Sequence, residues 1–317
     1  MKGCRQASIV LALASCVLTP ATCHLTPGAL SAQDRAVFST GADLVVLNVT
    51  VLDRKSGYVS GLPREAFTVY EDDRPQPIRF FRNEDTPVTV GLVIDNSSSM
   101  QRKRDAVIAG GLAFARSSHP DDELFAVHFN ERVWWGLPGD RPFTSDAGEL
   151  REALLRSTAR GKTAVFDAIS TALAHLEKGH AQKKALIVIS DGGDNASTTR
   201  FADVIDAARR SDAVIYGIGL LDEYSEDADP DVLKELARAT GAEAHFPDRI
   251  DEITSVMERI ARDIHSGYTI SYAPAAAAAP GFRKIRVDVR SADGRKLKVR
   301  ARSGYIAGAG GHTHGTR

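Results

Sequence analysis

The middle of the chain alternates short, largely apolar runs with segments of helical spacing. Such runs are typical of strands covered on both faces in a parallel sheet, and the alternation is typical of a doubly wound fold. We therefore predict an α/β domain at residues 86–266 with a mostly parallel six-stranded sheet. Its predicted strands lie at residues 89–94, 124–129, 132–135, 185–190, 214–219 and 243–246. Its predicted helices include residues 103–116, 165–176, 201–210, 232–239 and 248–264, with Asp248 as a candidate N-cap.

Both flanks of this domain have a strand pattern, in which apolar and polar residues alternate. Before it, strands are expected at residues 44–53, 67–73 and 77–81, the last two as a hairpin. After it, strands are expected at residues 268–272, 283–290 and 297–301. Three or so strands cannot bury a face alone. The sequence therefore predicts that residues 43–85 and 267–306 form one β-sandwich into which the α/β domain is inserted.

Polar side chains begin abruptly where two of the predicted central strands end. Asp95, Ser97 and Ser99 follow the first strand, and Asp191 follows the strand at residues 185–190. Thr163 lies in a glycine-containing loop just before a predicted helix. Open α/β sheets hold ligands at the carboxyl ends of their strands, and hard divalent cations prefer oxygen ligands. Taken singly, each motif is also ordinary turn chemistry.

Taken together and in this order, Asp-x-Ser-x-Ser, Gly-x-Thr and Ser-Asp-Gly resemble the metal-ion-dependent adhesion site of von Willebrand factor type A (integrin I-like) domains. The resemblance covers roughly residues 88–265. The flanks resemble those of bacterial exported relatives, through Gly61-Leu62, Phe67, Val69, Glu71 and Asp72.

The resemblance implies that five side chains hold a divalent cation, Mg²⁺ first, with Mn²⁺ or Ca²⁺ as substitutes. Ser97 and Ser99 would bind it directly, and Thr163 directly or through water. Asp95 and Asp191 would act mostly through water. An acidic side chain of a protein partner would complete the shell. This predicts a binding module, with a metal-stabilised envelope scaffold as the alternative.

An enzyme is the weaker interpretation. A hydrolase of the haloacid dehalogenase type needs a second aspartate two residues after Asp95, where this chain has Ser97. A phosphate-binding loop ending at Thr163 needs a glycine where the chain has Arg156. No nucleophile is paired with a base in the sequence pattern, so no catalytic residues are expected.

Charge and the first residues complete the sequence-based interpretation. The formal net charge is −1, with both signs interspersed, so no nucleic-acid partner is expected. Residues 1–32 have the pattern of a signal peptide, with cleavage near Ala32, followed by a linker at 33–42. Cys16 also fits a bacterial lipobox, in which case lipidation would provide the membrane attachment. We expect a periplasmic or extracellular protein, with residues 307–317 as a disordered tail.

Overall fold

The computed structural model describes residues 44–53, 57–83, 85–156, 158–221, 228–274 and 280–307. The predicted signal peptide with Cys16, the linker, and residues 308–317 of the predicted tail lie outside these residues. Within the described residues the chain forms one mostly parallel sheet and two further sheets of antiparallel strands. No helix in this part of the chain is long and apolar enough to cross a bilayer.

The central domain alternates strand and helix as predicted. Its elements are β6 (Val88–Asp95), α1 (Arg104–Ser117), β7 (Glu123–Phe129), β8 (Val133–Trp135), α2 (Ala147–Leu155), α3 (Val165–Leu176), β9 (Lys183–Ser190), α4 (Phe201–Arg210), β10 (Val214–Gly219), α5 (Pro230–Thr240), β11 (Ala244–His245) and α6 (Ile253–Ser266). The sheet order is β11-β10-β9-β6-β7-β8, and all pairs are parallel except β7 with β8. Every residue of β6, β9 and β10 is buried, as expected of strands covered on both faces. The predicted six-stranded, mostly parallel sheet is confirmed.

The two flanks interleave in space. They contain β1 (Val45–Asp53), β2 (Gly57–Tyr58), β3 (Phe67–Glu71), β4 (Arg74–Gln76), β5 (Ile78–Arg82), β12 (Tyr268–Tyr272), β13 (Gly281–Val289), β14 (Lys298–Arg300) and β15 (Gly304–Ala307). One sheet has the order β14-β1-β12-β5, with β2 beside β1, and the other has the order β15-β13-β3-β4. Each sheet takes strands from both flanks, and both sheets contribute to one apolar cluster. Neither flank therefore completes a sheet without the other.

Aromatic side chains form the centre of this flanking core. The ring centroid of Phe67 lies 4.7 Å from that of Tyr268 and 5.1 Å from that of Phe81. The three residues belong to β3, β12 and β5, so this cluster joins the two sheets and both flanks. Aromatic pairs of this geometry each contribute about 1 kcal/mol beyond the area that they bury.

Three features of the fold differ from the sequence prediction: one strand pairing, one helix N-cap and the start of one strand. The predicted hairpin of residues 67–73 with 77–81 is wrong, because β3 pairs with the short β4 and the chain then crosses at Pro77 to the other sheet, where β5 pairs with β12. Asp248 is not the N-cap of α6, since a 3₁₀ turn at Ile250–Glu252 precedes the helix. β9 begins earlier than predicted, at Lys183, whose ammonium group donates to the carbonyl of Gly267.

His265 joins the two connections between the central domain and the flanks. Its Nδ1 lies 2.7 Å from Asp85 Oδ1 and its Nε2 lies 3.1 Å from Asp122 Oδ2. Asp122 Oδ1 also accepts a hydrogen bond of 2.8 Å from the backbone N–H of Val88, at the start of β6. Burial lowers the pKa of His265, but the hydrogen bonds and charges of Asp122 and Asp85 outweigh burial, and the net pKa is raised above 6.5.

Because the folded protein holds the His265 proton more tightly than the unfolded chain does, this group stabilises the fold fully below pH 6.5, the ordinary value. The contribution is lost as the pH rises through the higher pKa of the folded state. We expect His265→Gln to flatten the decline in unfolding free energy above about pH 6.5, measured by urea titration at a series of pH values. Asp85→Asn, which removes one of the two carboxylates, gives an intermediate slope. An unchanged slope in His265→Gln would contradict this account.

Candidate functional site

Three loops meet at the carboxyl edge of the central sheet. β6 ends at Asp95 and β9 ends at Ser190, and these two strands are neighbours in the sheet. The third loop precedes α3 and carries Thr163. The parallel order places the ends of both strands on the same edge, which is where open α/β sheets hold their ligands.

Asp95 connects the first strand end to the second. Its Oδ1 accepts a hydrogen bond of 2.7 Å from the backbone N–H of Ser97, and its Oδ2 accepts one of 2.6 Å from the hydroxyl of Ser190. The side chain is buried, and burial raises the pKa of Asp95 to about 6, against the opposing effect of the bonds from Ser190 and Ser97. Each carboxylate oxygen is thus already bonded to the protein.

Ser97, Ser99 and Asp191 form one hydrogen-bonded group. The hydroxyl of Ser99 donates to Asp191 Oδ2 over 2.8 Å, and the hydroxyl oxygens of Ser97 and Ser99 lie 3.1 Å apart. Asp191 Oδ1 accepts no hydrogen bond from the described residues. The first loop therefore reaches directly to the carboxylate that follows β9.

The threonine loop is bonded to both of the others. The backbone N–H of Ser98 donates to the carbonyl of Gly161 over 3.2 Å. On the other side, the backbone N–H of Thr163 donates to Asn195 Oδ1 over 2.9 Å, and the Thr163 carbonyl accepts from the N–H of Asn195. Thr163 is buried, and its hydroxyl makes no hydrogen bond to the part of the chain that is described. All five predicted site residues therefore belong to one set of connected loops.

All of the candidate ligand atoms in the five side chains are oxygens. Two carboxylates and three hydroxyls lie on these connected loops, a donor set that suits a hard divalent cation. Within the described ranges, no group of three or more His, Cys, Asp or Glu side chains is arranged to hold a metal ion. Any cation at this edge would therefore depend on the hydroxyls of Ser97, Ser99 and Thr163 as much as on the two carboxylates.

The sequence model of the von Willebrand factor type A domain matches residues 90–194, a range that includes all five of these residues. The chain contains a von Willebrand factor type A domain. A search of the curated proteins found no significant match to the sequence.

Solved structures show the same fold. A von Willebrand factor type A protein from Catenulispora acidiphila aligns with a TM-score of 0.50 and 14% identity, over 83% of this chain and 74% of its own. Proximal thread matrix protein 1 from the mussel byssus, with a zinc-occupied adhesion motif, aligns with a TM-score of 0.50 and 16% identity. That alignment covers 61% of this chain and 49% of the mussel chain.

Asp194, after the last site residue, fixes the type A domain's loops. Its Oδ2 accepts hydrogen bonds from the backbone N–H of Phe166 and the hydroxyl of Ser197, and Asp167 accepts from the N–H of Thr199 in return. These bonds join the start of α3 to the loop after β9. Asp167 lies in the first turn of the predicted helix at residues 165–176. An acidic residue at that position is the sequence signal for a contact between the start of a helix and a neighbouring loop.

Sequence reasoning missed His128, a polar residue inside a buried strand of the type A domain. Its Nε2 lies 2.9 Å from the carbonyl of Ala153, so the proton is on that nitrogen and Nδ1 accepts from Asn96 Nδ2 over 3.0 Å. Burial lowers the pKa of His128 to about 4, against the opposing effect of the bond to Ala153. His128 therefore remains neutral at physiological pH and anchors Asn96, which lies between Asp95 and Ser97.

Two glycines in the site loops of the type A domain have a left-handed backbone conformation that other residues rarely adopt. Gly161 has a φ of +81° and Gly192 a φ of +85°. A Cβ atom on Gly192 would lie 2.2 Å from the backbone carbonyl oxygen of Asp229. Backbone atoms cannot rotate away as side chains can, so a side chain at position 192 would clash with the Asp229 segment, and only glycine fits there.

We expect Gly192→Ala to lower the free energy of unfolding by about 2 kcal/mol, from the left-handed backbone and the displaced Asp229 segment. Urea unfolding measures the change. Gly139→Ala is the matched control, because a Cβ there meets nothing within 4 Å. Equal stability of the two variants would show that the turn after Asp191 tolerates rearrangement.

Proposed function

We propose that Asp95, Ser97, Ser99, Thr163 and Asp191 hold a divalent cation, and that this cation takes an acidic side chain of a protein partner as a further ligand. The observation that supports the proposal is the bond from Ser99 to Asp191. This bond brings oxygens of two residues that are 92 positions apart in the sequence within hydrogen-bond distance. The hydroxyl of Ser97 lies beside them. The match to the family model and the all-oxygen donor set also support a cation site here.

The composition of the donor set explains why a partner would be needed. Three of the five groups are neutral hydroxyls, and Asp95 already uses both of its oxygens inside the protein. A cation held by few anionic ligands keeps much of its positive charge, and this charge is what it offers to a carboxylate from outside. Mg²⁺ suits such a site, since it favours six oxygen ligands and retains water in some positions.

The proposed activity is binding rather than catalysis, in keeping with the binding module that the sequence pattern predicts. Export of the protein remains a prediction from residues 1–32. An exported binding module would meet its partner outside the cytoplasm.

The cation should stabilise the fold by mass action. We expect Mg²⁺ at about a hundred times its dissociation constant to raise the unfolding free energy by about 2.7 kcal/mol. Ser99→Ala and Asp191→Asn should abolish this increment while leaving the circular dichroism spectrum unchanged. Thermal melting with Mg²⁺ and with a chelator measures it. Asp95→Ala is a further test, although it also removes the bond to Ser190.

Ser98→Ala is the matched control, because Ser98 lies between the two proposed serine ligands and its own hydroxyl donates to the Gly161 carbonyl. It should keep the full Mg²⁺ increment. If Mg²⁺ stabilised the Ser99 and Asp191 variants as much as the unchanged protein, there would be no metal site at this edge.

A carboxylate in the shell should displace water from the cation. With Mn²⁺ as the probe, we expect a short Gly/Ser peptide with one Glu to lower the water-proton relaxation rate of the complex. The same peptide with Gln in place of Glu should leave the rate unchanged, because a neutral amide is a weaker ligand. Equal effects of both peptides would argue against a role for the partner's carboxylate.

A further inference from the structure

One side of the proposed metal site carries a group of basic side chains that we name the basic crescent. It consists of Arg102, Arg104, Arg132, Arg156, Arg160 and Lys162. All are exposed except Arg104, which is half-buried. Two acidic residues, Glu131 and Asp105, belong to the same segments, so the crescent has a clear excess of positive charge.

Hydrogen bonds hold the segments of the crescent against the site. The backbone N–H of Arg160 donates to the carbonyl of Asn96 over 2.8 Å, so the threonine loop lies beside the Asp-x-Ser-x-Ser loop. Asn130 Nδ2 donates to the carbonyl of Arg160 over 3.1 Å, which brings in the turn between β7 and β8. Arg104 Nη2 donates to the carbonyl of Leu155, which adds the end of α2.

The positive charges of the crescent are not neutralised by ion pairs. Among the described residues, no crescent side chain lies within ion-pair distance of a carboxylate. The charge of Glu131 interacts with those of Arg132 and Arg160 and offsets part of the positive charge, and its carboxylate also accepts a hydrogen bond of 3.1 Å from the backbone N–H of Lys162. Four or more like charges left unpaired at one edge are unfavourable unless solvent or a bound anion compensates them.

The opposite side of the site has the opposite charge. In the sheet, β7 lies on one side of β6, and β9, β10 and β11 lie on the other. The exposed segments after β10 and β11 carry five carboxylates. Asp231 and Asp251 form ion pairs with Lys234 and Arg249, while Asp229, Asp248 and Glu252 have no ion-pair partner among the described residues. The binding edge is therefore polarised, with positive charge on the β7 side and negative charge on the β10 side.

From this polarity we infer that the partner of the metal site is an acidic protein segment, in which the carboxylate that binds the cation is flanked by further carboxylates that lie over the basic crescent. This inference rests on the proposed metal-binding function and adds a partner class and a direction to it. The extra carboxylates would speed association and fix orientation, because complementary charge acts on encounter and register. The acidic side would repel the same segment in the reversed orientation.

The test compares two labelled peptides binding to the full chain in Mg²⁺. One is a short Gly/Ser peptide with a single Glu, and the other has the same Glu followed by a run of Asp and Glu. We expect the acidic peptide to bind at least about tenfold more tightly at low salt. The advantage should shrink above physiological ionic strength, where the screening length falls below about 8 Å.

Charge reversal locates the effect. Arg132→Glu with Arg160→Glu should remove the advantage of the acidic peptide while leaving single-Glu binding and the Mg²⁺-dependent melting unchanged. Arg102→Glu with Arg156→Glu is an independent pair in the same crescent. Arg74→Glu with Arg79→Glu, on the exposed surface of the flanking sheets, is the matched control with the same change in net charge, and it should keep the advantage.

The outcomes separate this inference from the function on which it rests. Equal affinity for the two peptides, with intact Mg²⁺-dependent melting, would overturn the acidic-segment inference and leave the metal site standing. If Mg²⁺ did not raise the melting temperature of the protein without substitutions, both the metal site and the acidic-segment inference would be overturned. A sulfated polysaccharide that binds without Mg²⁺ and displaces the acidic peptide would also overturn the inference, since the crescent would then be a general polyanion surface.

Discussion

The buried carboxylate of Asp95 is the constraint on which the arrangement of the site loops depends. It accepts one hydrogen bond from its own loop and one from Ser190, and so it joins the ends of two neighbouring strands. Burial makes the charged form of this group costly, as its pKa of about 6 shows. The hydrogen bonds from Ser190 and Ser97 offset part of this cost, which favours the conformation in which the two loops meet.

Around this connection the other loops are arranged by short polar contacts rather than by apolar packing. Ser99 reaches Asp191, Ser98 reaches Gly161, and Thr163 reaches Asn195. Polar contacts have strict geometry, so a small set of them can hold hydroxyl and carboxylate oxygens close together at a surface. Two glycines with positive φ make the required turns possible.

The described residues of the flanking sheets contact the type A domain just before β10, at the end of the sheet opposite to this edge. The chain enters the domain at the start of β6 and leaves it after α6, and His265 and Asp122 tie these two connections together. The site lies at the other end of β6, eight residues along an extended strand and so roughly 25 Å away. The flanking sheets therefore contact the domain at one end, while the site loops lie at the other end of the central sheet.

The sequence by itself determined the α/β alternation, the six strands and the five candidate ligands, because each depends on local spacing or on polarity that changes at a strand end. Tertiary structure decided what local pattern cannot carry. It sent β5 to the other sheet instead of a hairpin, extended β9 through two buried lysines, and made His128 an anchor for Asn96. It also gathered the crescent, whose six charges come from three separate segments of the sequence. Such features depend on which distant groups become neighbours, and that is settled only when the chain has packed.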